Sequence, residues 1–317
     1  MLTCLIRFAL ALACASACAT LPAQTPSPVP MPLHPLGPGA YAVEGQSALG
    51  SPQNQNFISN AGFVITSTGV VVVDGLGSPT LARRLLAHIR QLTPLPVTHV
   101  IVTHYHADHI YGLQVFQAQG AKVLAHGTAR EYLHSDTAQQ RLAVSREELA
   151  PWVDAQTRLV PADEWLSGPH DLVVGDTQFQ IRPVGPAHTP EDLVVYVPRL
   201  KLLFAGDLVF RGRIPFVGQA NSRQWIAALD TLLGFGAQVV VPGHGPLSQQ
   251  VQADLHMTRR YLAHLRQTMG EAARNMDPFD EAYRTTDWSE FEHLPLFKIA
   301  NRMNAYNTYL LMERDKP

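Results

Sequence analysis

Six consecutive residues, His104-Tyr105-His106-Ala107-Asp108-His109, hold three imidazoles and a carboxylate. No other stretch restricts the chain so strongly. Neutral imidazole nitrogens and carboxylate oxygens are the donors that borderline divalent ions such as Zn²⁺ prefer. The run before them, Val97-Thr98-His99-Val100-Ile101-Val102-Thr103, is β-branched and apolar and reads as a buried strand. Gly112 and then Leu113-Gln114-Val115-Phe116 open a helix. The motif therefore falls on a loop at the C-terminal end of a strand, where α/β proteins place their chemistry. His104 and His106 alternate around Tyr105 and point the same way in an extended loop. Asp108 and His109 lie one step further on and can serve a second ion.

The same pattern recurs downstream. His188 sits just past the hairpin Leu172–Arg182, which turns at Gly175-Asp176. Asp207 closes the apolar run Leu202-Leu203-Phe204-Ala205-Gly206, and His244 closes Val239-Val240-Val241-Pro242-Gly243. Separate strand ends thus deliver His104, His106, Asp108, His109, His188, Asp207 and His244. His126 also ends an apolar run, Lys122–Ala125, but reads as a loop histidine. His99 and Asp74 are candidates to orient ligands, although a structural role is the simpler reading of both.

These motifs resemble the full signature of the metallo-β-lactamase-fold hydrolases, over roughly Tyr41 to Leu265. The resemblance implies a four-layer αβ/βα sandwich, two mixed sheets face to face with helices outside and metals in a cleft at one edge. It implies that His104, His106 and His188 hold one ion, that Asp108, His109 and His244 hold another, and that Asp207 bridges them. The cofactor implied is a pair of Zn²⁺, or another divalent metal. The chemistry implied is a shared hydroxide attacking an ester, thioester, lactone or amide, with Asp108 also orienting the nucleophile or passing on its proton. One subclass of true β-lactamases has Cys where Asp207 stands, and here no Cys is available. The leader, Phe204–Pro215, Trp225 and the tail Asn301–Tyr306 are similar to secreted hydrolases found with sulfur-oxidation and quinoprotein systems. Arg211 and Arg213 follow Asp207 closely and are candidates for a substrate carboxylate, which guanidinium pairs with bidentately; solvated loop arginines are the alternative.

Residues 1–23 read as a signal peptide, with Arg7 in the charged start and the small, apolar stretch Phe8–Ala19 behind it. This places the protein in the periplasm or outside the cell; a lipoprotein anchor through Cys18 is the alternative. The only cysteines, Cys4, Cys14 and Cys18, fall in this leader. A mature chain would have neither disulfides nor thiolate ligands. Residues 24–39 are Pro-rich and read as a tether, so that the domain spans 40–250 and a helical extension 251–317. A net charge of −2 without Lys/Arg runs excludes a nucleic-acid groove and fits a small-molecule substrate. No apolar run after the leader is long enough to span a bilayer; oligomeric state is not encoded legibly.

Within the domain, Tyr41–Val43, Asn56–Asn60, Gly62–Thr66 and Val70–Asp74 read as strands. A helix capped by Ser78-Pro79-Thr80 runs to Arg90, and Ala129–Leu149 reads as one helix. Trp152 and Trp165 read as packing rather than as a substrate rim. The extension reads as helices over Val251–Arg274, Phe279–Arg284 and Leu296–Met312, packed on the sandwich and walling its mouth, or contributing a dimer contact. His256, His264 and His293 within it read as structural or exposed. Two other functions compete with the hydrolase: a class B β-lactamase acting on antibiotics, and a non-catalytic metal-binding partner of a periplasmic oxidation system.

Overall fold

The computed structural model describes residues 28–314; the expected leader with its cysteines, and the start of the expected tether, lie outside the described residues. One sheet runs in chain order through β1 (His34–Gly37), β2 (Ala40–Val43), β3 (Ala61–Ile65), β4 (Val70–Val73), β5 (Val97–Ile101), β6 (Lys122–His126) and β7 (Glu164–Leu166). Its first four strands pair antiparallel and the rest parallel. The second sheet contains β8 (His170–Val174), β9 (Thr177–Pro183), β10 (Leu193–Val197), β11 (Leu202–Phe210) and β12 (Val239–His244), in the order β12-β11-β10-β9-β8. Only β11 and β12 pair parallel there. The helices are α1 (Pro79–Leu92), α2 (Ala107–Ile110), α3 (Leu113–Gln117), α4 (Ala129–Leu133), α5 (Asp136–Glu148), α6 (Ser222–Leu233), α7 (Val251–Asn275), α8 (Phe279–Thr285) and α9 (Phe297–Arg314).

Side chains alternate across a strand, so a strand covered on both faces has to be apolar throughout. Val70–Val73 does this. Val71 and Val73 join the core between the sheets with Phe179, Val195 and Phe204. Val70 and Val72 join the outer core with Leu81, Leu85 and Ile89 of α1. In the second sheet Leu202 and Phe204 face inward, while Leu203 and Ala205 belong with Trp225 of α6 and Leu262 of α7. The result is the expected four-layer αβ/βα sandwich with a C-terminal helical region.

Three expectations change. The proline-rich segment is not wholly a tether. Val29 and Met31 are buried, and His34–Gly37 pairs with β2, so the sheet starts before Ala40. Proline hid this strand, yet an edge strand tolerates Pro35. Asn56–Asn60 is not a strand: Gln55 and Asn56 are left-handed (φ 59° and 58°), and the Asn54 and Asn56 amides donate to the Leu49 and Gly77 carbonyls. The helix expected over Ala129–Leu149 breaks into α4 and α5, because the Ser135 hydroxyl caps α5 by accepting from the Ala138 N–H.

The C-terminal helices follow the expected pattern. Buried Asn304 fastens α9 down: its amide donates to Pro215 O (2.7 Å) and Tyr261 Oη (2.9 Å), and its oxygen accepts from the Val217 N–H (2.9 Å). Thus α9 is tied to the segment that follows β11. Among the described residues no helix is long and apolar enough to cross a membrane.

Candidate metal centre

The loop after β5 alternates as its sequence requires. Tyr105 turns into the core, where its hydroxyl donates to Val160 O (3.1 Å) and its N–H donates to Glu191 Oε1 (3.2 Å). His104 and His106 face the other way. His106 is extended (φ −80°, ψ 149°) and precedes α2, whose single turn carries Asp108 and His109. His188 lies in the β9–β10 loop, which is closed by Asp192 accepting from the Thr189 N–H and hydroxyl (2.8 and 2.7 Å). Asp207 sits inside β11 rather than at its end. A register shift at left-handed Gly206 (φ 52°) lets the strand continue to Phe210 while β12 ends at His244.

All seven residues meet in two groups: His104, His106, His188 and Asp207, and Asp108, His109 and His244. In the first, His106 Nδ1 lies 3.1 Å from His104 Nε2 and 3.1 Å from His188 Nε2, and Asp207 Oδ2 is 3.6 and 3.3 Å from the latter two. In the second, Asp108 Oδ2 is 3.7 Å from His109 Nε2 and 3.3 Å from His244 Nε2. Asp207 reaches this group too, Oδ1 at 3.2 Å from His109 Nε2 and Oδ2 at 3.3 Å from His244 Nε2. Tetrahedral ligands at about 2.0–2.1 Å from an ion stand roughly 3.3–3.4 Å apart, so the spacing fits. The donor set fits as well: Asp108 Oδ2, His109 Nε2 and Asp207 Oδ1 are buried and have no hydrogen-bond partner. Buried polar atoms are ordinarily paired; here the unpaired ones aim at one another, as atoms that share an ion do.

The imidazoles are pre-oriented. His109 Nδ1 donates to Asp74 Oδ2 (2.9 Å), and Asp74 also accepts from the Thr103 N–H (2.8 Å) and hydroxyl (2.9 Å). His244 Nδ1 donates to Ile58 O (2.7 Å), and its ring stacks on Phe210 at 5.0 Å. Each Nε2 is thereby freed toward the centre. Asn60 locks this arrangement, donating from its amide to Pro242 O and Gly245 O (both 2.8 Å) and accepting from the Gly45 N–H. A Cβ at Gly243 would collide with Asp207 Oδ1, so glycine is required there.

Burial drives His104 well below the ordinary histidine value, and burial with nearby His188 takes His106 down to about 4. Both are neutral at pH 7, the form that ligates. Burial also disfavours charge on His109 and His244, but Asp207, with Asp108 beside it, outweighs this and raises both. For Asp108 and Asp207 burial opposes ionisation; the surrounding histidines prevail and hold both carboxyls below the usual range. A divalent ion bound here would take the place of these shared protons.

Arg211 is turned to Asp254 (2.9 Å) and Leu247 O (3.0 Å). Arg213 is fully buried between the Phe210 and Phe216 rings, its Nη1 3.3 Å from His244 Nδ1. Neither lines the cleft over the centre; Arg141 of α5 does. His99 stays on β5 beside Thr98 Oγ1, and His126 pairs with Thr128 Oγ1. Trp152 pins the loop near the cleft by donating to Pro52 O (2.7 Å), whereas Trp165 packs on Tyr105. Asn60, Glu191 and Asp192 were not singled out from the sequence; only their distant partners distinguish them from ordinary loop residues. The cleft encloses about 520 Å³, with His106, Asp108, His188, Asp207 and His244 on its floor and Met303 of α9 in its wall.

The profile of the metallo-beta-lactamase superfamily matches residues 55–244. A linear primary-alkylsulfatase from a Pseudomonas species is 27% identical over 235 residues, 62% of this chain and 44% of that protein. A metallo-beta-lactamase type 2 from a Bacillus species is 29% identical over 203 residues, 62% of this chain and 71% of that protein. Among solved structures, a metallo-beta-lactamase from Pontibacter korlensis superimposes with a TM-score of 0.58 at 23% identity, covering 74% of this chain and 99% of that one. A stereoselective inverting sec-alkylsulfatase from a Pseudomonas species gives a TM-score of 0.69 at 19% identity, covering 89% of this chain and 50% of that one. The chain thus spans about half the length of either sulfatase.

Proposed function

The chain belongs to the metallo-beta-lactamase superfamily, and we propose that it is a metal-dependent, binuclear hydrolase cleaving an ester, thioester, lactone or amide bond. His104, His106 and His188 would hold one ion, Asp108, His109 and His244 the other, and Asp207 both. The observation that carries this reading is the convergence of these seven donors, with Asp207 within 3.2–3.6 Å of four imidazole nitrogens from both groups. Two divalent ions, zinc by the N/O character of the donors, would supply Lewis acidity and an acidified water.

The remaining steps belong to the chain's own residues. Asp108 lines the cleft, and its carboxylate, held ionised by His109 and His244, orients the attacking water and takes its proton. Asp207 is buried deeper and fixes the separation of the two groups. Asp74 and the Ile58 carbonyl keep His109 and His244 in the tautomer that presents Nε2. The leader expected over 1–23 supports action outside the cytoplasm.

Metal analysis and hydrolysis of the mature protein, expressed from about Gln24, test the reading together. The substrates are an acyl ester, a thioester, a lactone and a chromogenic cephalosporin, with an alkyl sulfate added because an alkylsulfatase is among the relatives. The expected result is two ions per chain and chelator-sensitive turnover of an acyl substrate. Less than one ion per folded, metal-supplied chain would refute it. Cephalosporin turnover alone would favour a β-lactamase, and two ions without turnover a binding partner.

A further inference from the structure

The cleft above the candidate centre is polar at its floor and apolar in its walls. Ile58, Leu149, Phe216 and Met303 line it, and Leu49 stands at its lip. Arg141 and Glu148, of opposite charge, are its charged residues above the floor. Leu49 and Met303 are each 46% exposed. Two large apolar side chains left half in water at one cleft mouth signal something apolar that covers them.

Both lips are built rather than loose. On one side the Leu49 carbonyl accepts from Asn54 Nδ2 (2.7 Å), Trp152 holds Pro52, and a Cβ at Gly50 would strike the Asn56 side chain. On the other, Asn304 fastens α9 to Pro215 and Val217. Beyond the mouth, Ile299 and Tyr306 share a helical stripe with Met303 and are 55% and 45% exposed. Met303 lies between them, so a chain that meets the stripe there has roughly 4.5–6 Å of helix on either side, room for about four carbons beyond the mouth.

We propose that this groove holds the hydrocarbon chain of the substrate, an acyl ester or thioester of medium chain length. Its carbonyl lies over the floor, and its chain passes between Leu49 and Met303 onto α9. The inference rests on the hydrolase reading. Hydrolysis breaks the acyl C–O or C–S bond; water gives its hydroxyl to the acid and a proton to the departing alcohol or thiol. The groove is continuous with the floor that carries the candidate ligands, which favours a substrate chain over a membrane surface or a second copy of the protein.

The test separates chain binding from catalysis. Straight-chain 1-alkanols from butanol to decanol are titrated into chelator-treated protein, where no turnover occurs. Kd is expected to fall about two- to fourfold per added methylene. Met303→Ser and Leu49→Ser should flatten that slope. Val173→Ser, which removes a 65% exposed valine on β8, should leave it intact. A flat series in the parent, or an unchanged slope in the Met303→Ser/Leu49→Ser double variant, overturns the proposal. So would a flat series accompanied by phosphatidylcholine-vesicle binding or dimerisation that Met303→Ser abolishes. The metal-loaded protein is then assayed on p-nitrophenyl esters from acetate to dodecanoate. A binding slope without turnover of any acyl ester keeps the groove and sinks the hydrolase class proposed above. Acetate turnover with flat alkanol binding does the reverse.

Discussion

Replacing Asp74 with Asn should weaken one ion far more than the other. Asp74 is buried, left-handed (φ 65°) and accepts from three donors: His109 Nδ1, the Thr103 N–H and the Thr103 hydroxyl. Asn tolerates that backbone and fills the same volume, so the fold should persist. Its amide, however, has one acceptor oxygen where the carboxylate has two. If the oxygen serves the Thr103 N–H, the NH₂ faces His109 Nδ1 and drives the proton to Nε2, the atom meant for metal. If it turns round, two donors meet at Thr103, at a cost of about 1–3 kcal/mol. Loss of such an orienting partner typically weakens metal binding about 10- to 100-fold, or roughly 1.4–2.7 kcal/mol. Competition against a chromophoric chelator should therefore show one ion weakened by that factor, the one assigned to Asp108, His109 and His244. The ion assigned to His104, His106 and His188 should change much less. Parent-like affinity for both ions in a folded Asp74→Asn protein would refute the argument.

Chelation should lower Tm by about 5–10 °C relative to protein at an ion concentration a hundredfold above Kd, since each of the two ions there adds about 2.7 kcal/mol; an unchanged Tm by calorimetry would contradict ions held only by the folded state. Gly243→Ala should drive its methyl against Asp207 Oδ1 and the Gly206–Asp207 backbone, lowering affinity for both ions; metal analysis showing two tightly held ions would overturn this. Burial raises the Asp192 carboxyl from its ordinary 3.8 to about 6. The folded state then keeps a proton that the unfolded chain has already lost. The stabilisation is full below about pH 3.8 and disappears as pH rises through about 6, some 3 kcal/mol in all. Asp192→Asn does not titrate, so denaturant melts of ion-free protein should show the stability difference between parent and variant shifting by about that amount between pH 4 and 8; a constant difference would count against it.

The strand-end pattern made the centre legible. Apolar runs closed by a ligand type marked the His104–His109 loop, Asp207 and His244 before any contact was known, and His188 stood out as a ligand type just past a hairpin. The sandwich itself came from the resemblance to the metallo-β-lactamase fold; the pattern of Val70–Val73 pointed only to a strand covered on both faces. Helices over Val251–Asn275 and Phe297–Arg314 were legible within two or three residues from their apolar stripes and the break at Asp277-Pro278. What escaped depended on partners distant in the chain. Asn60 gains its role from Pro242 and Gly245, 182 and 185 positions away, and Asp74, named as a candidate but read more simply as structural, meets His109 across 35 positions. Arg213 looks like a loop arginine until Phe210 and Phe216 close over it. Pro35 hid an edge strand, and the Phe57-Ile58 pair resembled a strand although Asn54 and Asn56 bend the chain into turns.

Neither sheet owns the centre. His104, His106, Asp108 and His109 hang from the end of β5, whereas His188, Asp207 and His244 come from the second sheet's loops and strands. On the proposed assignment, each ion draws at least one donor from either side of the seam. During synthesis the last of these, His244, leaves the ribosome some 140 residues after the first. An ion therefore has no complete seat until both halves of the sandwich have docked. On that assignment, tight capture of an ion would report that the two halves of the sandwich have docked.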